Sequence, residues 1–324
     1  MSSPLPSIRA ITAWAVTTGE AGMRTQARGL AQAVAEVVVE KTVPSRWGGL
    51  WPWPSRGGAR DRFAPPWPDL LVTCGRRSAA LSVALRKASG GRIVTVHVQD
   101  PRRDAAAFDL VVAMEHDAIP AGPGVIKVAT ALHDLTPEKL ALAAGPWRRR
   151  FAALGAPLAG VAIGGTSRRG AFTGEHGRRL VGALTRLQRE AGVALAITPS
   201  RRTPLAIRRL LREAFADDPR VFLWDLTGEN PYRAILALVD RLVITGDSVS
   251  MVSEALASGH PVEVLDLGFP RYAPFLNALE GRGLIRRFEG EGAPPPARSP
   301  VNATLEAAAA AVRRLLQERT GVVG

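Results

Sequence analysis

Short apolar runs alternate with longer amphipathic segments along the whole chain, and Gly, Pro or Ser residues separate most of them. The short runs are rich in Val, Ile and Leu, which is typical of strands buried on both faces, whereas the longer segments repeat their apolar positions at helical spacing. Predicted strands cover residues 8–17, 37–43, 69–73, 92–98, 108–114, 125–128, 158–163, 193–198, 220–224, 242–245 and 262–265. Predicted helices cover residues 23–37, 75–88, 135–154, 175–191, 206–215, 249–257 and 305–316. This alternation favours an α/β fold built on doubly wound parallel sheets.

The series of strands and helices starts a second time after Pro146 and a run of three arginines at positions 148–150. A chain of 324 residues is long enough for two domains of about 150 residues each. We therefore predict an N-terminal Rossmann-like domain over residues 1–145 and a C-terminal Rossmann-like domain over residues 146–298, facing each other across a central cleft. The final helix, in the segment 299–324, follows a Pro-rich break and is expected to pack back on the N-terminal domain.

The stretch from residue 242 to residue 265 combines a strand, a polar turn, a helix, a Gly stop and a second strand. Ser248 or Ser250 is suited to cap this helix, whose first turn carries unpaired N–H groups and partial positive charge. Such a helix start suits a diphosphate, and Glu254, one turn further along, can accept hydrogen bonds from sugar hydroxyls. The alternative interpretation is an ordinary helix in which the Ser and Glu residues only cap.

Four consecutive strand ends in the second half carry Gly, Ser, Thr or Arg residues. Because the carboxyl ends of parallel strands lie along one edge of a sheet, these residues are expected to gather there. Backbone N–H groups at Gly164 and Gly165, together with the guanidinium groups of Arg201 and Arg202, can hold a diphosphate between them.

Glycine and arginine also follow two of the strands predicted in the first half. The first strand leads into a turn with a Gly-x-x-Gly spacing, from Gly19 to Gly22, which on its own is a weak nucleotide-binding signal. Arg76 and Arg77 begin a helix after the strand at residues 69–73, so a second helix start is expected at the same edge of that sheet.

The histidine and cysteine residues give one candidate for acid–base chemistry and none for zinc. His116 and Asp117 lie at the end of the strand predicted at residues 108–114 and are candidates for a general base; the alternative is a structural histidine. The single cysteine and five scattered histidines provide no zinc-ligand spacing. Cys74 ends an apolar strand, so we interpret it as a buried structural thiol in a reducing compartment.

The formal net charge is +13, and nearly all of the positive charge is arginine. Such a surface attracts anions, which include phosphorylated ligands, nucleic acid and an acidic membrane leaflet. Nucleic acid is not an expected partner, because the arginines are scattered and no binding module is recognisable. The sequence has no secretory signal and no apolar run of the roughly 18 residues typical of a membrane span. We therefore expect a cytoplasmic protein, peripheral on the cytoplasmic face of the membrane.

Residues 46–68 alternate aromatic residues with Pro, Gly and Arg, so no regular element is predicted there. Trp47, Trp51 and Trp53 are suited to a membrane interface, a lipid acceptor or a stacked base. The alternative is a loop that folds back on its own domain. A long loop of this kind in a compact domain is more often functional than not.

A series of motifs resembles one known family over nearly the whole chain. In order they are PPWPDLLVTCGRRSA, VQDPR, FDLVV-x-x-EHD, IGGTS, PSRRTP, GENPY and GDSVSMVSEA. They resemble the elongated-mitochondria family, named for a plant mitochondrial fission factor, whose bacterial members are regarded as glycosyltransferases of the GT-B class. The resemblance implies a GT-B-like fold, a nucleotide-sugar donor as substrate, and neither a metal nor a further cofactor. The absence of an Asp-x-Asp motif agrees with metal independence.

The resemblance also implies roles for individual residues. The residues implied for donor and diphosphate binding are Gly164, Gly165, Thr166, Ser167, Ser200, Arg201, Arg202, Ser248, Ser250, Met251 and Glu254, the last of which would bind the ribose. The loop that faces the acceptor contains Gly19, Glu20 and Gly22, and Arg76 and Arg77 are predicted to face the acceptor with it. Related enzymes often have a histidine after this loop, but Met23 occupies that place here. The general base is then Glu20, His116 or Asp117, and the choice stays open.

Two functions of different classes follow from these observations. The first is a glycosyltransferase, inverting or retaining, whose acceptor is a membrane-associated lipid or glycan. Its expected partners are a nucleotide-sugar donor and an anionic membrane surface or lipid acceptor. The second is a non-catalytic adaptor on the same scaffold, as the plant relative suggests. A sugar-nucleotide epimerase is disfavoured because neither Tyr232 nor Tyr272 belongs to a Tyr-x-x-x-Lys pair.

Overall fold

The computed structural model describes residues 10–43, 63–167, 170–291, 293–297 and 303–320. They form two compact units, each built around one parallel sheet of six strands. The first unit contains the elements up to Asp134 together with the last helix, and the second unit contains the elements between them. No helix among the described residues is long and apolar enough to cross a membrane.

Among the described residues, the first unit has two α-helices that follow its first and third strands, in addition to the last helix of the chain. Its strands are β1 (Thr12–Thr17), β2 (Val37–Thr42), β3 (Leu70–Cys74), β4 (Val94–Val98), β5 (Leu110–Met114) and β6 (Val125–Val128), and its helices are α1 (Ala21–Gln32) and α2 (Arg76–Ala88). All strand pairs are parallel, in the order β2-β1-β3-β4-β5-β6. The order of the strands reverses between β1 and β3, which is the switch point where such sheets bind ligands.

The second unit continues the alternation of helices and strands. Its elements are α3 (Pro137–Ala144), α4 (Arg148–Ala152), β7 (Leu158–Ile163), α5 (Gly174–Ala191), β8 (Ala194–Pro199), α6 (Leu205–Phe215), β9 (Val221–Leu223), α7 (Tyr232–Leu238), β10 (Arg241–Thr245), α8 (Val249–Ala257), β11 (Val262–Leu265), α9 (Ala273–Gly281) and β12 (Arg286–Arg287). Helix α10 (Ala303–Thr320) follows and belongs to the first unit. The parallel order β12-β11-β10-β7-β8-β9 places the switch point between β7 and β10.

The core of the second unit explains why its apolar runs form strands. Every residue of β7, β8, β10 and β11 is buried, as expected for strands covered by helices on both faces. Helix α5 presents Leu180, Leu184 and Leu187 on one stripe, and these side chains pack against the apolar face of the sheet. The prediction of an α/β fold with two doubly wound parallel sheets is confirmed.

The two units divide at Asp134, upstream of the boundary at residue 145 that the sequence suggests. The reason is that α3 packs against α7, so it is part of the second unit although it precedes the three arginines. The predicted helix over residues 135–154 was wrong as a single element. Gly145 and Pro146 begin a short 3-10 turn that separates α3 from α4.

Helix α10 packs on the first unit through polar contacts at both of its ends. The Thr304 and Thr130 hydroxyl groups lie 2.8 Å apart, and the Arg319 guanidinium contacts the Asp109 carboxylate at 2.6 Å. Arg319 also donates to the carbonyl oxygen of Gly91 at 2.8 Å. The last helix of the chain thus completes a unit that otherwise consists of residues up to Asp134.

Aromatic residues at the end of the segment 46–68 belong to the core of the first unit. Phe63 and Trp67 contact Trp14 of β1 edge-on, with ring centroids 6.2 and 6.1 Å away. This part of the segment therefore folds back on its own domain. Trp47, Trp51 and Trp53, which we predict to contact a membrane or an acceptor, lie outside the described residues.

Candidate functional site

The loops that follow β7 and β10 meet at the switch point of the second sheet and are joined by hydrogen bonds. The N–H group of Gly164 donates to the hydroxyl oxygen of Thr245 at 2.8 Å, and the N–H group of Gly165 donates to the Asp247 carboxylate at 2.6 Å. The Thr245 hydroxyl in turn donates to the other oxygen of Asp247 at 2.7 Å. Asp247 thus ties the two loops together, although the sequence patterns did not single it out.

Close approach explains why glycines occupy positions 164 and 165. A Cβ atom on Gly164 would lie 2.2 Å from an oxygen of Asp247, and a Cβ atom on Gly165 would lie 2.1 Å from the carbonyl carbon of Arg202. The N–H group of Thr166 donates to the Arg202 carbonyl oxygen at 3.1 Å. The amides of Gly164 and Gly165, which we predict to hold a diphosphate, and that of Thr166 are therefore bonded within the protein in this structure.

The motif after β8 holds the same loop from its other side. The Ser200 hydroxyl donates to the carbonyl oxygen of Gly164 at 2.8 Å, and the Arg202 guanidinium donates to the carbonyl oxygen of Gly165 at 3.0 Å. Arg201 and Arg202 are both exposed, and Arg202 is the one whose guanidinium contacts this loop. The structure thus brings Ser200 and Arg202 to the predicted loop as supports of its backbone.

Burial governs the ionisation of Asp247. The side chain is nearly inaccessible, and burial raises the pKa of its carboxyl group above the ordinary value. Hydrogen bonds from Thr245 and Gly165 and the charge of Arg202 oppose this shift. A carboxylate already occupies the place next to the glycine loop, and it would repel a second anion there.

The start of α8 is the remaining place for an anion at this edge. The Ser248 hydroxyl oxygen caps the helix by accepting from the N–H group of Met251 at 3.4 Å. The first helical N–H groups, at Val249 and Ser250, have no acceptor within a helix, and they carry the positive end of the helix dipole. Ser248, Ser250 and Met251 are thus placed where the sequence predicts them, around the first turn.

Glu254 lies one turn further along α8 and is only 9% exposed. The Tyr232 hydroxyl donates to Oε2 of Glu254 at 2.6 Å, which fixes the orientation of the carboxylate. Burial, followed by the charge of Glu254, raises the pKa of the Tyr232 phenol well above its ordinary value, so the phenol stays a donor. Sequence reasoning missed Tyr232 as a site residue, although it ends the GENPY motif and its partner lies in GDSVSMVSEA.

The first unit places a second group of predicted residues at its own switch point. Glu20 precedes α1 after β1, and Thr18 donates a short hydrogen bond to its carboxylate. Gly75, at the start of α2 after β3, has a φ of 92°, and a Cβ atom there would lie 2.5 Å from the sulfur of Met23. Met23 therefore fills space between the two loops, where related enzymes often have a histidine.

The remaining loop residues of the first unit lie on the same two connections. Gly19 has a φ of 96°, which favours glycine, and its N–H group donates to the Thr17 hydroxyl at 3.1 Å. Gly22 is in the first turn of α1, and Arg76 and Arg77 begin α2. Because β1 and β3 are neighbours, these residues lie on adjacent strand ends.

The three candidates for a general base do not lie together. His116 and Asp117 follow β5, which is separated from β1 by β3 and β4. Three strand spacings amount to about 14 Å. The Asp117 carboxylate accepts from the N–H group of Met114 at 3.0 Å, so it shapes the turn after β5.

Two Rossmann-like parallel sheets, each with polar loops at a switch point, place the chain in the GT-B-like fold class. Within that class, the chain belongs to the mitochondrial fission ELM1 family, whose model matches residues 21–316. The mitochondrial fission protein ELM1 of Arabidopsis thaliana is 29% identical over 287 residues, which cover 81% of this chain and 67% of that protein.

Solved structures with the same fold include enzymes that act on nucleotide sugars. A UDP-N-acetylglucosamine 2-epimerase matches with a TM-score of 0.56 and 14% identity, covering 96% of each chain. The UDP-GlcNAc 2-epimerase of Methanocaldococcus jannaschii matches with a TM-score of 0.54 and 10% identity, covering 92% of this chain and 91% of that one. At such low identity these matches show the fold alone. Since the fold serves epimerases, the missing Tyr-x-x-x-Lys pair does not exclude epimerisation by itself.

Proposed function

We propose that this protein transfers a sugar from a nucleotide-sugar donor that binds at the carboxyl ends of β7 and β10. The observation that carries the proposal is the buried carboxylate of Glu254, which Tyr232 orients one turn beyond the start of α8. A carboxylate has sites for about four hydrogen bonds, so Glu254 can accept from a ribose hydroxyl while it holds Tyr232. A buried, oriented carboxylate at a switch point is otherwise a costly feature.

The donor diphosphate would lie at the start of α8 instead of on the glycine loop. Negative charge develops on the diphosphate as the bond between the sugar and its phosphate oxygen breaks. The N–H groups of Val249 and Ser250 and the positive end of the helix dipole would stabilise that charge. The exposed guanidinium of Arg201 is a further donor. In this proposal these groups perform the task that a metal ion performs in other transferases.

Glu20 is the general base of the proposed reaction, because it is the candidate at the switch point of the first unit. Its carboxylate would accept the proton of the acceptor hydroxyl as that oxygen attacks the sugar. The proposed acceptor is a lipid or glycan at an anionic membrane surface on the cytoplasmic side. The net charge of +13 supports this part of the proposal, since arginines attract anionic headgroups.

A thermal-shift screen tests the donor site directly. Wild type, Glu254→Ala and Tyr232→Phe would be heated with UDP, GDP, CMP, dTDP and their sugars; Glu190→Ala, an exposed glutamate of the same unit, is the matched control. A ligand at 100 times its Kd adds about 2.7 kcal/mol to the free energy of unfolding. We expect one nucleotide to stabilise wild type and Glu190→Ala, to stabilise Tyr232→Phe less, and to leave Glu254→Ala unchanged. Equal stabilisation of Glu254→Ala would contradict the assigned site.

A second candidate function is a non-catalytic adaptor on the same scaffold. The observation that favours it is that Gly164, Gly165 and Thr166 donate their amides within the protein, so the loop is closed by its own hydrogen bonds. A relative is named a mitochondrial fission protein. The adaptor function predicts that no nucleotide stabilises the wild type and that no donor sugar is released in its presence.

A further inference from the structure

A cavity of about 310 Å³ lies at the open edge of the second sheet, beside β9. Helices α4 and α6 contribute Arg150, Arg208 and Arg212 to its lining, and β9 and the residues after it contribute Phe222 and Trp224. Its volume is at the lower end of the range of small-molecule sites, roughly 300–1,000 Å³. Of the family motifs only PSRRTP reaches it, through Pro199, and the proposed donor site does not use it, since β9 is separated from β7 by β8.

The cavity carries an excess of positive charge. Within the described part of the chain, none of Arg150, Arg208 and Arg212 has a carboxylate oxygen within 4.0 Å. Asp225 is the acidic residue of the lining, and its carboxylate accepts from the hydroxyl and the N–H group of Thr227 at 2.6 and 2.9 Å. These bonds, with a smaller contribution from Arg212, lower the pKa of Asp225, so it remains ionised. Three cations and one anion leave a net attraction for an anionic ligand.

The donors and rings around the cavity are held in place. The Arg150 guanidinium lies 4.4 Å from the ring centroid of Phe222, a cation–π contact. The Trp224 indole N–H donates to the carbonyl oxygen of Thr227 at 2.7 Å, which fixes the plane of the ring. The Nε atom of Arg208 is buried and has no hydrogen-bond partner among the described residues. Six other buried side-chain nitrogen or oxygen atoms of the described residues likewise have no partner, so the case for a ligand rests on the cavity, its charges and its aromatic rings.

We propose that this cavity binds a phosphate ester whose body is a ring or an alkyl chain. A guanidinium group can donate two parallel hydrogen bonds to two phosphate oxygens. Three guanidinium groups therefore suit a ligand with two negative charges better than a ligand with a single carboxylate. Trp224, Phe222 and the apolar residues of α6 provide the surface for the body of the ligand. The ester is either nucleotide-like or lipid-like; both share this chemistry. The inference stands apart from the proposed donor site and does not depend on Glu254.

Isothermal titration calorimetry with three probes tests the proposal. Pyrophosphate probes the arginines alone, phenyl phosphate adds a ring, and hexyl phosphate adds an alkyl chain. The double variant Arg208→Gln with Arg212→Gln is compared with Arg209→Gln, which removes a charge from the same helix outside the cavity lining. Hydrogen bonds to charged groups contribute enough that losing them weakens binding by about tenfold or more. We expect the double variant to bind all three probes at least about tenfold more weakly than the wild type. We expect Arg209→Gln to bind them as the wild type does.

A second variant separates the ring from the charges. Trp224→Leu is expected to weaken the binding of phenyl phosphate and to leave the binding of pyrophosphate unchanged. In the wild type, tighter binding of hexyl phosphate than of phenyl phosphate would identify a lipid-like ester. Glu254→Ala is expected to bind all probes as the wild type does. The proposal is overturned if the arginine double variant binds the probes normally, or if Glu254→Ala loses them, because binding would then belong to the switch point.

Discussion

Asp247 shows how one buried carboxylate can close a loop that looks ready for phosphate. Glycine pairs after a strand predict a phosphate loop, and the same pattern also arises where a side chain approaches the backbone too closely for a Cβ atom. Here Asp247 and the Arg202 backbone make that approach. The sequence therefore predicted the location of the loop and of Glu254. It did not predict their partners, because Tyr232 and Glu254 are 22 residues apart and meet only through the packing of the unit.

The raised pKa of Asp247 makes a prediction about pH. An aspartate in an unfolded chain has a pKa of about 3.9, and the folded value lies above it. The folded state therefore binds more protons in the window between the two values. The contribution of this group to stability is complete below the unfolded pKa and is lost as pH rises through the folded pKa. Relative to Asp247→Asn, we expect the free energy of unfolding of the wild type to fall as pH rises from about 4 toward neutrality.

Urea unfolding of both proteins at a series of pH values measures this difference. Asp225→Asn is an informative control, because hydrogen bonds lower the pKa of Asp225 and its contribution changes with pH in the opposite direction. A difference between the wild type and Asp247→Asn that stays constant across the series would show that burial of Asp247 does not control its ionisation.

Strands β10, β11 and β12 are joined by a buried set of charges. Both oxygens of Glu263 accept hydrogen bonds, one from Arg241 and the other from Arg286. Glu263 is completely buried and Arg241 nearly so. The run at residues 262–265 was predicted as a strand, and this was right; β12 was not predicted, because two arginines have no apolar pattern. Strand β12 pairs with β11, and its Arg286 contacts the Glu263 carboxylate two elements back in the chain, which no local pattern reveals.

Glu263→Gln is expected to destabilise the second unit strongly. It keeps the size of the side chain and removes the negative charge next to the buried Arg241 guanidinium, and breaking a buried ion pair in this way typically costs about 3–5 kcal/mol. Glu190→Gln breaks an exposed contact with Arg189 and is expected to cost less than about 1 kcal/mol. Chemical denaturation of the two variants makes the comparison. Similar small losses in both would mean that the buried charges add little beyond the packing of the strands.

The two sheets of the molecule could be predicted from the sequence, but the boundary between its two units could not. Alternating runs were sufficient for two parallel sheets, since strands such as β3, β7 and β10 are buried along their whole length and helices α2, α5 and α8 connect them to the next strands. The division between the units could not be predicted from the sequence pattern, because α3 belongs to the second unit through its packing on α7 and not through its place in the sequence. The return of α10 was expected from its position after a Pro-rich break, but the arginine that holds it was not.

Arg319 of α10 is expected to stabilise the first unit. It contacts Asp109 and the carbonyl oxygen of Gly91, and Asp109 also accepts from the N–H and hydroxyl groups of Thr95. Arg319→Ala should therefore lower the free energy of unfolding by about 1 kcal/mol, the value for partly exposed hydrogen bonds. Arg314→Ala, an exposed position on the same helix, is the control and should change it little. Equal effects in a thermal melt would show that the contact is dispensable.

The position of α10 also has a consequence for the order in which the protein is made. A ribosome releases the first six strands early, but the helix that packs against them is translated only after every element of the second unit. Domains generally fold as units while synthesis proceeds. The second unit can therefore reach its native state first, while the nascent first unit keeps an uncovered surface until α10 has been made.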